Sequence, residues 1–386
     1  MKSFVHLMEE VQKPGLCHHC GGCVTFCTAI NYGALELDAG GRPRYKDVDK
    51  CIECGLCYLI CPEIHELDEE TRAHVSWQAP MGHLFKTTLA RAKDPEVRAR
   101  ATDGGVVTGL LLGLLNKGYI DGAIVTKPVG PFQRQPWLAQ SRAEIMEAAG
   151  FHFDTSHGMN LFSEVYSTYS PSVAQLGLVA QRHLRRIAFV GTPCQINTLR
   201  RMEVLGIVPS DAIKYYLGLF CAGNFYFGQE QRQRLEKMGH FQWAEVSKVN
   251  VKEKLLIHLH NQEVRSLPLD ELDFMKRFAC RYCNDYSAEF ADISFGGIGS
   301  PEGWTTVFTR TPKGRTLFND AVGVALEEYQ DKRVATPAWA TVLEWSEQKK
   351  RRAEANRREL QHRNADVLEH AVPGSPLPIP TKEEGV

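Results

Sequence analysis

Hydrophobic positions follow two periodicities along most of the chain. Apolar runs predict strands in DGAIVTKPV, RRIAFV, AIKYYLGLFC and ADISFGG. VVTGLLLGLLNKG and QINTLRRMEVLG have the spacing of helices. Because strands alternate with helices from about residue 76 to 330, we expect an α/β core with a largely parallel sheet.

The two ends of the chain lack this alternation. Residues 1–75 have short elements, many turn residues and dense cysteine, whereas residues 331–386 contain a charged helix followed by a proline-rich tail. We expect the tail to be extended. Charges of both signs at helical spacing are typical of a solvated helix, and docking onto a partner subunit is the alternative. The pattern therefore predicts three parts, 1–75, 76–330 and 331–386.

Composition and charge exclude several classes of function. With 45 basic and 46 acidic side chains in 386 residues, the chain has no excess positive charge for binding nucleic acid. Its most apolar run is too short and broken to insert into a membrane, and the first residues lack a signal-peptide pattern. We therefore expect a cytoplasmic protein. Twelve cysteines in that reducing compartment indicate metal or redox chemistry.

One internal repeat accounts for eight of the cysteines. CHHCGGCVTFC (Cys17, Cys20, Cys23, Cys27) recurs 34 positions later as CIECGLCYLICP (Cys51, Cys54, Cys57, Cys61). In such runs three thiolates bind one 4Fe-4S cluster and the fourth binds the other cluster. We assign Cys17, Cys20, Cys23 and Cys61 to the first cluster and the other four to the second. Zinc ribbons use paired C-x2-C knuckles and need no third and fourth cysteine in each run.

Four cysteines remain, the number that a further cluster needs: Cys194, Cys221, Cys280 and Cys283. Cys194 and Cys221 follow predicted strands, and the carboxyl ends of strands in an open α/β sheet converge on one crevice. A third 4Fe-4S cluster is our interpretation. A nucleophilic Cys194, a structural zinc ion and inert packed thiols are the alternatives.

Several stretches resemble the beta subunits of coenzyme F-420-reducing hydrogenase and the related F-420 dehydrogenases. They are GTPCQINTLR, LGLFC, CRYCNDYSAEFADISFGGIG, GWTTVFTRTPKG and DGGVVTGLLLGLLNKGYIDGAIV, and the resemblance covers roughly residues 10 to 320. The resemblance implies a ferredoxin-like α+β domain with two clusters, then a mixed α/β flavin-binding domain with a third, then the C-terminal helix and tail. It also implies FAD, hydride exchange with a 5-deazaflavin, and single-electron transfer through the clusters.

FAD needs glycine-rich turns where backbone N–H groups approach its pyrophosphate. The first expected turn lies at the start of a predicted helix and consists of Asp103, Gly104, Gly105 and Thr108. The alternative is an ordinary N-cap of that helix by Thr102 or Asp103. The second is Asp292, Ser294, Gly296 and Gly297, where a plain tight turn is equally plausible. We expect Trp304 and Arg310 to face the flavin or an anionic coenzyme tail. The alternative is that Trp304 is a core tryptophan and Arg310 a surface arginine. Neither turn is the G-x-G-x-x-G fingerprint of an NAD site.

Residues 150 to 160 depart from the family pattern. A Gly-Ser-Lys-Tyr-like segment is common there, but this chain reads GFHFDTSHGMN. We expect this segment near the hydride-donor pocket, so the divergence concerns the donor's identity and leaves the flavin and clusters unaffected.

The resemblance implies an electron-input subunit that works with redox partner subunits. The expected partners are of hydrogenase, formate dehydrogenase, heterodisulfide reductase or quinone oxidoreductase type, and coenzyme F-420 is the expected substrate. One alternative is a relative that reduces an organic substrate with ferredoxin electrons. The other is an electron relay without hydride chemistry.

Overall fold

The computed structural model describes residues 2–30, 32–38, 41–130, 133–150, 172–207 and 209–370. The strands are β1 Leu35–Leu37, β2 Pro43–Tyr45, β3 Lys86–Ala92, β4 Gly122–Gly130, β5 Gln133–Ala139, β6 Ile187–Gly191, β7 Ile213–Leu219, β8 Val246–Val251, β9 Lys254–Leu259, β10 Val264–Pro268, β11 Ile293–Gly296, β12 Thr305–Thr309 and β13 Leu326–Glu328. The α-helices are α1 Phe4–Leu7, α2 Gly22–Val24, α3 Leu56–Leu59, α4 Asp68–His74, α5 Pro95–Arg100, α6 Val106–Asn116, α7 Arg142–Glu147, α8 Leu176–Gln181, α9 Pro193–Val204, α10 Gln229–Gly239, α11 Pro312–Ala321 and α12 Ala335–His370. Wider π-helical turns continue α1 and α2 over Met8–Gln12 and Thr25–Ile30.

A mixed sheet forms the centre of the α/β part, with the strand order β13-β3-β12-β11-β7-β6-β4-β5. The pairings β11–β7, β7–β6 and β6–β4 are parallel, and those toward both edges are antiparallel. The expectation of a largely parallel sheet is therefore right for the four middle strands and wrong for the edges. Short connections join β4 to β5 and β11 to β12, and such connections permit only antiparallel pairing.

The helices and strands predicted for this sheet are present. Helix α6 is apolar on most of its surface, with Leu110, Leu111 and Leu114 buried against the sheet and neighbouring helices. Helix α9 follows β6 after a single residue, Thr192, and packs its apolar side on the same sheet. These elements bring the ends of β6, β7 and β11 together.

A small three-stranded antiparallel sheet was not predicted. Strands β8, β9 and β10 pair in sequence order and pack with α10 around their own core, which includes Phe227, Trp243 and Ile257. This unit is inserted between β7 and β11. Its strands are short and carry several charged residues, so the apolar pattern is weak there.

The cysteine-rich part and the sheet share one hydrophobic core. Phe4, Phe26 and Tyr58 belong to the same buried cluster as Phe189 and Leu199 of the α/β part. The two parts therefore pack against each other directly. Among the described residues, no helix has the length and apolar character needed to cross a membrane.

Helix α12 is not a plain solvated helix, contrary to the expectation for its charged sequence. Ala338, Val342 and Ala353 are buried, with exposed fractions of 1% or less. Small residues on one face allow the helix to approach the rest of the chain closely while its charged residues cover the other faces. The proline-rich tail, residues 371–386, lies outside the described residues.

Candidate metal centres and flavin site

The thiols of the two cysteine runs surround two cavities. One cavity is lined by cysteines of both runs: Cys17, Cys20, Cys23, Cys57 and Cys61. The other cavity is also lined by cysteines of both runs: Cys27, Cys51, Cys54 and Cys57. The fourth cysteine of each run therefore lies with the leading cysteines of the other run. This is the placement that the crossed assignment requires, and ligation itself stays a prediction.

Burial and mutual repulsion act on these thiols. Burial raises the pKa of Cys17 to about 11 and that of Cys57 to about 12, and neighbouring thiolates add to both shifts. Burial likewise raises the pKa of Cys23 well above its usual value, with contributions from Cys20 and Cys17. Thiolates crowded in this way need a compensating positive charge, and bound iron would supply it while displacing the thiol protons.

The four remaining cysteines also come together. The pKa of Cys221 is raised to about 12, chiefly by burial; Lys349 opposes this shift, and the nearby Cys280, Cys283 and Cys194 add to it. The main-chain N–H of Asn224 donates to Cys280 Sγ at 3.4 Å, and its side-chain amide donates to Cys221 Sγ at 3.8 Å. Donors to sulfur of this kind are what tune the potential of an iron–sulfur cluster.

Helix α9 fixes the position of Cys194. Thr192 caps the helix in a capping box with Gln195, whose side-chain oxygen accepts a hydrogen bond from the Thr192 main-chain N–H at 3.0 Å. Pro193 occupies the first helical position, where its ring favours the helical backbone. Cys194 therefore lies in the first turn, where the helix dipole stabilises a thiolate.

The third cysteine group lies beside the first. Thr198 Oγ1 donates to the Cys194 carbonyl at 3.0 Å and lies 3.5 Å from Cys20 Sγ. The buried ring of His18 lies between the two groups, with Nε2 3.0 Å from the Glu63 carboxylate. Burial would lower the pKa of His18, but Cys194 and Glu63 raise it well above its usual value. The two groups are thus separated by single side chains.

The donor chemistry suits clusters better than a single ion. Each group offers four sulfur atoms, which 4Fe-4S clusters take as ligands. Across the described ranges, no three or more His, Cys, Asp or Glu side chains are arranged to hold one metal ion. In the two ferredoxin groups the thiols instead stand around a cavity. A zinc ion would need its ligands to meet at about 2.3 Å from one point, so clusters fit these groups better.

Part of the expected flavin site converges at one place. Gly104 N–H donates to Thr305 Oγ1 at 2.9 Å, and a Cβ on Gly297 would lie 2.5 Å from a carboxylate oxygen of Asp103. Gly105, with φ of +73°, is the N-cap of α6. The alternative that Thr102 or Asp103 occupies the N-cap position is therefore wrong. The Gly297 backbone lies beside Asp103, two residues before the N-cap of α6.

Other expected flavin residues have protein partners instead. Arg310 is fully buried, and its guanidinium donates to oxygens of Met81, His83, Ser287 and Ser294. The interpretation of Arg310 as a surface arginine is wrong.

Asp292 and Trp304 are likewise engaged by neighbouring side chains. Asp292 accepts from Arg200 at 3.0 Å and from Thr311 at 2.7 Å. Trp304 is half-buried, stacked under the Arg91 guanidinium at 4.4 Å. These contacts favour a structural role for Asp292, Ser294, Trp304 and Arg310. Residues 151–160, expected near the donor pocket, lie outside the described residues.

The sequence did not single out Glu63, Thr198 or Arg357. Glu63 contacts His18 and accepts a hydrogen bond from Arg357 Nη2 at 2.6 Å. These residues lie far apart in sequence, and none belongs to a recognisable spacing. The Cys-Pro-Glu order at the end of the second run was the available signal for Glu63, since it places a carboxylate beside a ligand.

Family models match most of the chain. Those for the coenzyme F-420 hydrogenase/dehydrogenase beta subunit match residues 87–163 with the N-terminal part and residues 184–332 with the C-terminal part. A 4Fe-4S dicluster domain matches residues 9–62, and a 4Fe-4S single-cluster domain of ferredoxin I matches residues 47–95.

Relatives of known name support the same assignment. The coenzyme F-420 hydrogenase subunit beta of Methanothermobacter thermautotrophicus is 34% identical over 282 residues, covering 72% of this chain and 95% of the relative. One of the F-420H2 dehydrogenase subunits of Methanosarcina mazei is 28% identical, covering 84% and 87%. A coenzyme F-420-dependent sulfite reductase of Methanocaldococcus jannaschii is 29% identical, and the match spans 50% of its length.

A solved structure has the same fold. A chain of the xenon-derivatised F-420-reducing nickel–iron hydrogenase complex of Methanosarcina barkeri matches with a TM-score of 0.63 and 25% identity. The match covers 79% of this chain and 99% of that one. The resemblance and the fold class expected from the motifs are therefore confirmed. The chain belongs to the family of coenzyme F-420 hydrogenase/dehydrogenase beta subunits.

Proposed function

We propose that the chain is an electron-input subunit that exchanges hydride with coenzyme F-420 at FAD. It passes single electrons through three 4Fe-4S clusters to or from partner redox subunits. The observation that carries this proposal is the direct contact between the Cys194 helix and the first cysteine group through Thr198 and His18. Single-electron transfer between the α/β part and the ferredoxin clusters needs such a close contact.

The order of the three groups defines a path. Cys194, Cys221, Cys280 and Cys283 lie at the carboxyl ends of the sheet, where α/β proteins bind their ligands. The first ferredoxin group is next, and the second lies beyond it. Val48 and Ile52 beside the second group are 60% and 58% exposed. The second group is therefore the natural place for electrons to enter or leave the subunit.

We assign FAD to the sheet edge formed by Asp103, Gly104, Gly105 and Thr108 together with Gly296 and Gly297. The first turn of α6, which has a glycine as its N-cap, provides N–H groups and the positive end of a helix dipole for a pyrophosphate. The absence of a Cβ at Gly104 and Gly297 lets the two turns pack closely against Thr305 and Asp103. When bound, the flavin supplies the change from paired to single electrons, which neither a deazaflavin nor a cluster makes alone.

The names of the relatives indicate the class of partner. They include subunits of an F-420 hydrogenase, an F-420H2 dehydrogenase and an F-420-dependent formate dehydrogenase. We propose that this chain likewise serves a larger redox enzyme of hydrogenase or dehydrogenase type.

Two cysteine variants test the path. Cys194→Ala removes a ligand of the third group, and Cys51→Ala removes a ligand of the second. With reduced F-420 under anaerobic conditions, we expect flavin reduction in both variants. The ferredoxin clusters should stay oxidised in Cys194→Ala, whereas in Cys51→Ala the first and third clusters should still be reduced. Rapid cluster reduction in Cys194→Ala would contradict the path, and a flavin inert to F-420 in the unmodified protein would contradict the substrate.

A further inference from the structure

A buried lysine of the C-terminal helix reaches the third cysteine group. Lys349 is 3% exposed, and its Nζ donates to the carbonyl oxygens of Cys221 at 2.7 Å and Asp285 at 2.8 Å. The ammonium thus holds the backbone at two places. One is the proposed ligand Cys221, and the other is Asp285, two residues after the proposed ligand Cys283.

Acidic groups surround this ammonium. A buried ammonium is strongly disfavoured unless negative charge offsets it. The side chains of Cys221, Cys280, Cys283 and Asp285 face Lys349. The Asp285 carboxylate also accepts the Glu289 main-chain N–H at 3.0 Å, so its charge is shared. The nearby Lys276 is paired with Asp273 at 2.5 Å. A cluster ligated by these cysteines would carry negative charge beside the Lys349 ammonium, which is held there by the two carbonyl oxygens.

Helix α12 is held in the register that delivers this side chain. Asn356 Nδ2 donates to the Arg281 carbonyl at 2.8 Å, and Arg357 reaches both Glu63 and the Tyr282 carbonyl. Lys349 and Asn356 lie two turns apart on one face of the helix. The helix thereby fastens the third cysteine group to the ferredoxin part. The matched family models end at residue 332, before this helix begins.

We propose that Lys349 is a positioning residue of the third cluster. The fixed positive charge of Lys349 raises the reduction potential of that cluster. Reduction adds one electron to the cluster, and a nearby ammonium stabilises the more negative reduced form. Charge close to a cluster is one of the factors that set its potential. The C-terminal helix is then part of the electron path rather than only a surface element. This inference rests on the proposed function, because it assumes a cluster at these four cysteines.

The test is a redox titration of purified, cluster-loaded protein followed by electron paramagnetic resonance. The third cluster is identified as the signal lost in Cys283→Ala. Lys349→Met removes the charge, and Lys349→Gln removes it but keeps a hydrogen-bond donor. In both we expect the ratio of reduced to oxidised cluster at a fixed potential to fall at least tenfold, about 59 mV for one electron. Arg351→Met is the matched control, because this side chain on the same helix is 67% exposed and pairs with Glu347.

Iron content separates the two levels of failure. About twelve irons per chain are expected from three clusters, and about eight in the unmodified protein would remove the third cluster and with it the proposed path. Twelve irons with an unshifted potential in Lys349→Met or Lys349→Gln would overturn only the role of Lys349. If both neutral variants lose the third cluster while Lys349→Arg keeps it, the charge is required and the proposal holds. Loss of the third cluster in Lys349→Arg as well would overturn the proposal, since the shape of the side chain rather than its charge would then determine whether the cluster is retained.

Discussion

At the scale of single residues, buried charges fix the start of the central strand β11. The Asp292 carboxylate accepts hydrogen bonds from the Tyr216 main-chain N–H at 2.9 Å and from Arg200 at 3.0 Å. Burial alone would raise the pKa of Asp292, but Arg200 and Lys313 hold it below its usual value. The sequence shows a polar residue at the start of a strand there. It cannot show that the partner is an arginine 92 positions earlier.

Replacing Arg200 should strongly destabilise the protein. Arg200→Met leaves the Asp292 carboxylate buried without its main counter-charge, at a cost of about 3–5 kcal/mol in the free energy of unfolding. Anaerobic thermal unfolding followed by circular dichroism measures the effect. Arg358→Met is the control, since its ion pair with Glu354 is exposed and is worth about 0.5 kcal/mol or less. Equal unfolding midpoints for the two variants would contradict the structural role given to Asp292.

Glu289 should make stability depend on pH. Its carboxylate accepts from Trp77 Nε1 at 2.7 Å and lies 2.6 Å from Lys350 Nζ, yet burial and Asp285 raise its pKa to about 7. A carboxyl whose pKa is raised on folding contributes stability below its unfolded pKa and loses it as the pH rises through the folded value.

Glu289→Gln mimics the protonated form. The stability of this variant relative to that of the unmodified protein should therefore increase as the pH rises from about 5 to about 8. Unfolding midpoints at both pH values measure this change. Glu354→Gln, on the exposed side of α12, should show no such trend. A constant difference between Glu289→Gln and the unmodified protein across this range would contradict the raised pKa.

At the scale of elements, the packing of α9 on the first cysteine loop is the critical junction. Gly22 faces the Thr198 side chain so closely that a Cβ would overlap the Thr198 methyl group. This glycine lets the loop carrying Cys20 and Cys23 approach the helix carrying Cys194. The distance between the two cysteine groups therefore depends on two small side chains.

Gly22→Ala should separate the first cysteine loop from α9. We expect it to lower the iron content and the unfolding midpoint, because the added methyl cannot fit against Thr198. Gly113→Ala is the control, since a Cβ added to this helical glycine would have only one neighbouring atom within 4 Å, at 3.9 Å. Thr198→Ser in the Gly22→Ala background removes the overlapping methyl and should restore iron. A fully loaded Gly22→Ala protein would show that the junction tolerates expansion.

Sequence pattern predicts some elements and not others for physical reasons. Helix α6 and strands β4, β6 and β7 are buried on most sides, so their apolar runs are long and unambiguous. The β8–β10 insertion and the buried face of α12 escape notice. In α12 the packed face begins with Ala338 and Val342 but continues through Ser346, Lys349 and Ala353. Its apolar pattern is therefore interrupted, and its partners are distant in sequence. The eight cysteines of the two runs are recognisable because their spacing is that of a 4Fe-4S dicluster domain.

At the scale of the whole molecule, the cysteine groups form a continuous series from the sheet to the surface. The first and third groups are linked through Thr198, and the first and second share the ferredoxin core. Tyr32 and Ile52, at the second cavity, are 42% and 58% exposed. Exposed apolar side chains beside a cluster suit a surface that a redox partner covers.

Ile52→Asn should impair transfer to the partner without adding a charge beside the second group. A polar side chain at the centre of such an apolar contact is expected to slow F-420-dependent reduction of the partner complex about tenfold, equivalent to about 1.4 kcal/mol. Reduction of a small dye by the isolated subunit should be unchanged. Val264→Asn, on β10 and 48% exposed, is the control. Equal losses in both variants would mean that the partner does not bind at the second group.

The central claim is that one chain joins a deazaflavin-reactive FAD to three clusters. The most direct measurement is made on protein purified without oxygen: iron and flavin are quantified, reduced F-420 is added, and the visible spectrum is followed. The account predicts about twelve irons and one FAD per chain, with loss of flavin absorbance followed by loss of cluster absorbance. Protein with clusters but no flavin, or with a flavin that reduced F-420 does not bleach, would contradict it.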